Sequence, residues 1–341
     1  MGEPVIRLME VCGTHTMAIA KAGIRQMLPA GVRLISGPGC PVCVTPPGTI
    51  DALLELSRRP GVIIATYGDM VRVPGSRRGT SLAREKAAGA DVRVVYSAMD
   101  AVDLAEKEPD REVVFAGVGF ETTAPGTAAA VKEAARRNLK NFSVWSMIKL
   151  LEPSVKALAA DPEFAIDGFL APGHVAVIIG EEGMRFFPED LHLPAVITGF
   201  EPGEVARGIT HLLRQVRVGE ARLENEYKAV VRPEGNPAAR ALMDEIFEKR
   251  TDTWRGLGSI PASGLGIRKE YAAWDAQAKF GLCAPDVPMR TACRCGDVIR
   301  GRLEPGGCPL FGTVCTPEDP EGPCMVSSEG ACAAAYKYRS V

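Results

Sequence analysis

The sequence predicts an α/β protein made of two parallel-sheet units and a Cys-rich C-terminal segment. Three observations predict it. Short, continuous β-branched runs alternate with helical patterns, as in parallel strands covered on both faces. The alternation starts again near residue 125, giving two units of about equal size. The ten cysteines sit at the two ends: Cys12, Cys40 and Cys43 come first, and Cys283, Cys293, Cys295, Cys308, Cys315, Cys324 and Cys332 come last, with none between.

The elements follow in order. Residues 16–28 read as a helix, and "VRLIS" (32–36) as a buried strand. "TIDALLELSRR" (49–59) has its apolar positions at helical spacing. "GVIIATYG" (61–68) is a strand, "SLAREKAAGA" (81–90) a helix and "DVRVVYS" (91–97) a strand. The helix "AMDAVDLAEKE" (98–108) and the strand "EVVFAGVG" (112–119) close the first unit. The second unit has helices at 127–138, 153–161 and 201–216 and strands at 142–148, 165–173 and 195–203. Beyond residue 217 the character changes. One more helix, 236–250, opens on Asn-Pro, and then Gly, Pro and Cys dominate. A segment so poor in long apolar runs is expected to bury little core and to need a cofactor to fix it. The expected division is 25–125, 126–216 and 217–341, with residues 1–24 able to join the last.

Composition limits the function. Hydrophobic residues make up 46% and charged residues 24%, and 40 basic residues against 42 acidic ones give a net charge of −2. Without a basic block, nucleic acid is not expected as a partner. The start, "MGEPVIRLMEVCGTH", has no signal-peptide core, and apolar runs such as "VAVIIG" are too short to span a bilayer. A cytoplasmic protein without a membrane role is expected. In a reducing compartment, cysteines point to metal, catalysis or redox work rather than structural disulfides.

Ligands of open parallel sheets bind beyond the carboxyl ends of the strands. "GPGCPVC", "YGDM", "GFETT", "PGHV" and "TGFEP" all fall at such ends. Strand-to-helix turns carry Gly and capping residues anyway, but five such loops on one face favour a site. Cys12 and His15 lie three apart at a Gly turn, as a thiol with an imidazole to tune it, as two metal ligands, or as a buried Cys and a helix cap. Cys40 and Cys43 form a Cys-x-x-Cys. One such pair can be half of a zinc site, a redox dithiol or chance; with no second pair nearby, a redox dithiol is favoured over structural zinc. Pro41 and the following "TPPGTI" predict an irregular loop that can form an easily reduced disulfide.

Cys308, Cys315, Cys324 and Cys332 are separated by six, eight and seven residues, too wide for paired zinc ligands. Four thiolates satisfy a [4Fe–4S] cube, with zinc as the alternative. Cys293 and Cys295 add a close pair, either alternative ligands or a second redox couple. Cys283 reads as an ordinary half-buried thiol.

Taken together, "EVCGTHT", "GPGCPVCVTP", "TYGDMVRVPGS", "GFETTAP", "PGHVAVIIG", "ITGFEP", "CRCGDV" and "CPLFGTVCTPE…GPCMVSSEGAC" resemble the HypD family of hydrogenase maturation factors, in family order from about residue 8 to 338. The resemblance implies two α/β domains facing a cleft and a third domain holding a [4Fe–4S] cluster. It implies a scaffold, shared with a HypC-like chaperone, on which the Fe(CN)2CO group of [NiFe] hydrogenases is built, with a HypE-like partner delivering cyanide. By motif, Cys12 matches the iron-site cysteine and Cys40 and Cys43 the redox-active pair. Cys308, Cys315, Cys324 and Cys332 match the cluster ligands, and His15, Glu121 and His174 fall in motifs lining the cleft. Where some members have a second His, this chain has Met17, which leaves His15 as the candidate imidazole.

Overall fold

The computed structural model describes residues 5–285, 287 and 291–338. The first four residues of the N-terminal reading above, and the last three of the expected C-terminal unit, lie outside the described residues.

Eleven strands are described: β1 Ile6–Glu10, β2 Val32–Ser36, β3 Val62–Thr66, β4 Asp91–Val94, β5 Glu112–Gly119, β6 Phe142–Ile148, β7 Gly168–Pro172, β8 Ala195–Thr198, β9 Leu223–Asn225, β10 Phe247–Trp254 and β11 Gly258–Ile267. Two sheets are wholly parallel, as the continuous apolar runs predict. One has the order β2-β1-β7-β8-β9 and the other β4-β3-β5-β6. β3, β6 and β8 are buried at every residue, which is why they carry no polar alternation. No helix among the described residues is long and apolar enough to cross a membrane.

Strand pairing divides the chain differently from the expected junction near residue 125. β6 pairs with β5 across the helix Ala124–Arg136, so that junction cuts a βαβ unit in two. β2 pairs with β1, and β1 pairs with β7, so the N-terminal strands belong with the strands of residues 168–225. The first fifty residues and the stretch from 168 to 225 therefore build one sheet, and the residues between build the other. Such pairing is non-local and leaves no trace in local periodicity.

Three further differences concern single elements. The helix expected over 16–28 is two helices, Gly13–Lys21 and Ile24–Met27, because Gly23 between them takes φ 65°. The helix expected over 236–250 runs Pro237–Ile246, capped by Asn236, whose side chain accepts from Ala239 N at 3.0 Å. Phe247 then enters an antiparallel hairpin, β10-β11, which the sequence reading did not contain. That hairpin docks on the four-stranded sheet through Lys149, whose buried Nζ lies 2.8 Å from Asp252 Oδ2 and donates to Thr253 O at 2.9 Å.

The Cys-rich segment also departs from expectation. Cys295, Ile299, Cys315, Cys324, Met325 and Cys332 are buried in one core with Cys40, Cys43, Val44, Met147 and Trp254. The tail is thus built into the body of the protein, and the helix Ala331–Lys337 packs on Gly13–Lys21.

Candidate functional site

Each parallel sheet has a point where the strand order reverses, and loops diverging there leave a crevice. In the five-stranded sheet it lies between β1 and β7, and in the four-stranded sheet between β3 and β5. Cys12 and His174 follow β1 and β7, and Asp69 and Glu121 follow β3 and β5. "YGDM" and "GFETT" therefore sit at the switch point of the four-stranded sheet and "PGHV", with the Cys12 turn, at that of the five-stranded sheet, while "GPGCPVC" follows the edge strand β2 and "TGFEP" follows β8.

Cys12 and the Cys40–Cys43 loop are brought together by backbone. Glu10, the buried last residue of β1, accepts from Ser36 Oγ at the end of β2 (2.6 Å) and pairs with Arg25 (2.5 Å), locking the two strand ends side by side. Gly37 N donates to Glu10 O at 2.8 Å, and Gly13 N donates to Gly39 O at 3.0 Å. A Cβ on Gly39 would overlap the backbone of Val11 and Cys12, so only glycine lets this loop lie flat against the Cys12 turn. Cys40 and Cys43 are paired as a disulfide with Cα atoms 5.2 Å apart, and both are buried. The irregular loop expected here is instead a helical turn, Pro41–Val44, with Pro at its first position and Cys40 Sγ accepting from Cys43 N at 3.2 Å. Proline has the backbone angle such a start requires, so Pro41 favours the turn it was expected to prevent.

Burial pushes the Cys12 thiol up to about 11, and the nearby Glu329 carboxylate adds to the rise. The backbone N–H groups of His15 and Thr14 oppose it. Glu329 comes from the tail: its Oε1 accepts from Thr14 Oγ1 at 2.8 Å, and a Cβ on Gly13 would overlap it. Sequence reasoning missed Glu329, because nothing local ties the tail to a turn near the N-terminus.

His15 is fully buried, and its Nε2 lies 2.9 Å from both Gly199 O and Thr198 Oγ1. A carbonyl only accepts, so Nε2 carries the hydrogen and Nδ1 keeps its lone pair. That Nδ1 is buried with no hydrogen-bond partner among the described residues. Burial pulls the imidazole down to about 4, so it is neutral at physiological pH. The Phe200 ring stands between His15 and the exposed His174, with centroids 4.6 and 3.9 Å away. Phe200 was quoted within a motif but not singled out, since a phenylalanine after a strand reads as core. Glu121 is apart from this group among the described contacts. It is buried, Oε1 accepts from Leu151 N at 2.9 Å, and burial raises the carboxyl to about 7.

The C-terminal thiols gather in one place. Cys295, Cys308, Cys315, Cys324 and Cys332 are buried and Cys293 is half-buried. Cys293 hydrogen-bonds Cys295, which with Arg255 holds Cys295 low, at about 7, while Cys293 keeps its proton. Cys332 is raised, first by its hydrogen bond with Cys324 and then by burial. Cys293 feels the charge of Cys315, Cys315 that of Cys308, and Cys332 those of Cys295 and Cys293. The four expected ligands are thus joined by two further thiols. Six soft donors crowded together are the donor set an iron–sulfur cluster takes, and they exceed the four it needs. Cys324 also lines a small cavity with Cys40, Cys43 and Glu329, so this group reaches the disulfide. Cys283, expected to be half-buried, is exposed instead.

With this geometry in hand, comparison with known proteins is specific. The model of the family HypD, described as "Hydrogenase formation hypA family", matches residues 2–339. The hydrogenase maturation factor HypD of Rhizobium leguminosarum bv. viciae is 48% identical over 337 residues, covering 97% of this chain and 87% of the relative. That of Cupriavidus necator is 48% identical over 337 residues, covering 97% and 89%. That of Escherichia coli K12 is 46% identical over 338 residues, covering 99% and 90%.

Proposed function

The chain belongs to the HypD family of hydrogenase maturation factors, and from that premise we propose that it is the scaffold on which the iron group of a [NiFe] hydrogenase is assembled. A HypC-like chaperone shares the scaffold, and a HypE-like partner brings cyanide as a thiocyanate. The observation that carries this reading is the contact between the Cys12 turn and the Cys40–Cys43 disulfide, closed by Gly13 N to Gly39 O at 3.0 Å. A candidate metal-binding sulfur and a candidate electron-pair carrier are neighbours.

The chemistry follows from the residues. The substrate is an iron ion that acquires cyanide and CO, and a soft thiolate at Cys12 suits it. Burial holds the Cys12 proton on until a cation replaces it, so the site favours metal over free thiolate. Neutral His15 offers a second donor or a proton acceptor at Nδ1. His174, its ring tilted against Phe200, is the remaining candidate for handling protons beside His15, and Glu121, whose carboxyl burial raises to about 7, is a candidate set apart from them. Release of cyanide from a thiocyanate consumes two electrons and leaves a thiolate and cyanide. The reduced Cys40 and Cys43 supply those electrons, losing two protons and closing their S–S bond.

Four of the thiols Cys293, Cys295, Cys308, Cys315, Cys324 and Cys332 would hold a [4Fe–4S] cluster; Cys308, Cys315, Cys324 and Cys332 are the set favoured by the family motif. Bound there, the cluster would supply single electrons in the neighbourhood of the disulfide.

The test is Cys12→Ser, isolated anaerobically with its partners. The expected result is loss of the infrared CN and CO bands, with the iron and sulfide of the tail retained. A variant with undiminished bands would remove Cys12 from the site.

A further inference from the structure

The Cys40–Cys43 disulfide touches more than its own turn. Cys40 Sγ lies 3.4 Å from Ser327 Oγ in the tail, and Ser327 Oγ donates to Asp69 Oδ2 at 3.0 Å. Asp69 comes from the loop after β3, so three distant segments meet at one sulfur. The same Oδ2 accepts from Ser328 N (2.8 Å) and Ser328 Oγ (2.9 Å).

Donor accounting gives the chain of contacts a direction. An ionised carboxylate only accepts, so the single hydrogen of the Ser327 hydroxyl goes to Asp69. The Ser327 oxygen already accepts from Glu329 N at 3.1 Å. Its remaining lone pair faces Cys40, which can use it only by donating S–H. A reduced Cys40 therefore points its proton along Ser327 to Asp69. Cys43 sits 2% exposed, and its own N–H donates toward the Cys40 sulfur.

Building on the redox reading of this pair, we propose that Cys40 is its nucleophilic sulfur and that Asp69, acting through Ser327, is the proton acceptor that generates the thiolate. An external dithiol first opens the S–S bond, giving two thiols and its own disulfide. The Cys40 proton then passes to Ser327 as the Ser327 proton passes to Asp69, leaving a thiolate held by the Cys43 N–H. Among the described residues, the other charged groups around this chain of contacts are Glu329, which is raised by burial and in part by the charge of Asp69 and itself raises Cys12, and Arg255, which hydrogen-bonds Val44 O and Thr45 O beyond the turn.

The test is timed alkylation with iodoacetamide of the full chain, reduced by dithiothreitol under anaerobic conditions and read by peptide mass spectrometry from pH 5 to 10. Here the thiolate displaces iodide and forms an S–C bond. Cys40 is expected to react faster than Cys43. Asp69→Asn and Ser327→Ala are each expected to slow Cys40 by about tenfold or more at neutral pH and to move its profile up by about one pH unit. Cys43 should be little changed, and Asp69→Glu should recover part of the rate. A merely structural Asp69 would alter stability and both thiols together. Faster labelling of Cys43, or an unmoved Cys40 profile in both variants, would overturn the proposal. If mild oxidation fails to protect both thiols together, the redox reading itself is lost, and this inference with it.

Discussion

At the scale of single residues, burial sets the chemistry. Glu121 carries a carboxyl raised from its ordinary 4.5 to about 7, chiefly by desolvation. A raised carboxyl favours the folded state while protonated. Its contribution is full below about pH 4.5 and is lost as pH rises through about 7, at most about 3 kcal/mol. Glu121→Gln keeps the shape and removes the titration. The melting temperature of the variant should therefore gain on that of the unaltered chain between pH 5 and pH 8, and a constant difference would contradict the assignment. His15 runs the other way, losing stability as pH falls from about 6.5 through about 4, but it is present in both proteins and cancels. The candidate residues Cys12, His15, Cys40 and Cys43 were legible in short motifs, and the structure brings the Cys12 turn against the Cys40–Cys43 turn. Glu329, Phe200 and Ser327 were not legible, because each matters through contacts with distant segments.

At the scale of elements, the strands were legible and their partners were not. β2, β5 and β6 run over the residues expected for them, since unbroken apolar runs mark buried parallel strands. β10 carries Glu248, Lys249, Arg250 and Asp252, exposed or half-buried, between buried Phe247 and Trp254, so it offered no apolar period to read. β1 was overlooked as a short run leading into the Cys12 motif. The contact that matters most between elements is the loop after β2 lying on the turn after β1. Gly39→Ala tests it, because the added methyl has no room against Cys12. A loss of about 1–3 kcal/mol is expected from overpacking, read as a lower melting temperature. Hydrogenase maturation in cells carrying the variant should fall by more than the unfolded fraction explains. Full maturation would mean that close approach of the two loops is dispensable.

At the scale of the whole molecule, the tail ties the two sheets together at their strand ends. Ser327 and Ser328 hold Asp69 of the four-stranded sheet, while Glu329 holds Thr14 of the five-stranded sheet. Composition foretold a Cys-rich tail but not that it would sit in the core, because its burial depends on surfaces supplied by other segments. The Cys12 turn, the disulfide and Cys324 of the gathered thiols lie in one continuous region, and the proposed function would make iron ligation and electron supply a single unit there. The most direct test of that unit is the infrared spectrum, in the CN and CO stretching region, of Cys40→Ser isolated anaerobically with its partners. The CN bands are expected to vanish while the visible iron–sulfur absorption of the tail stays intact. Undiminished CN bands in that variant would contradict the proposed function.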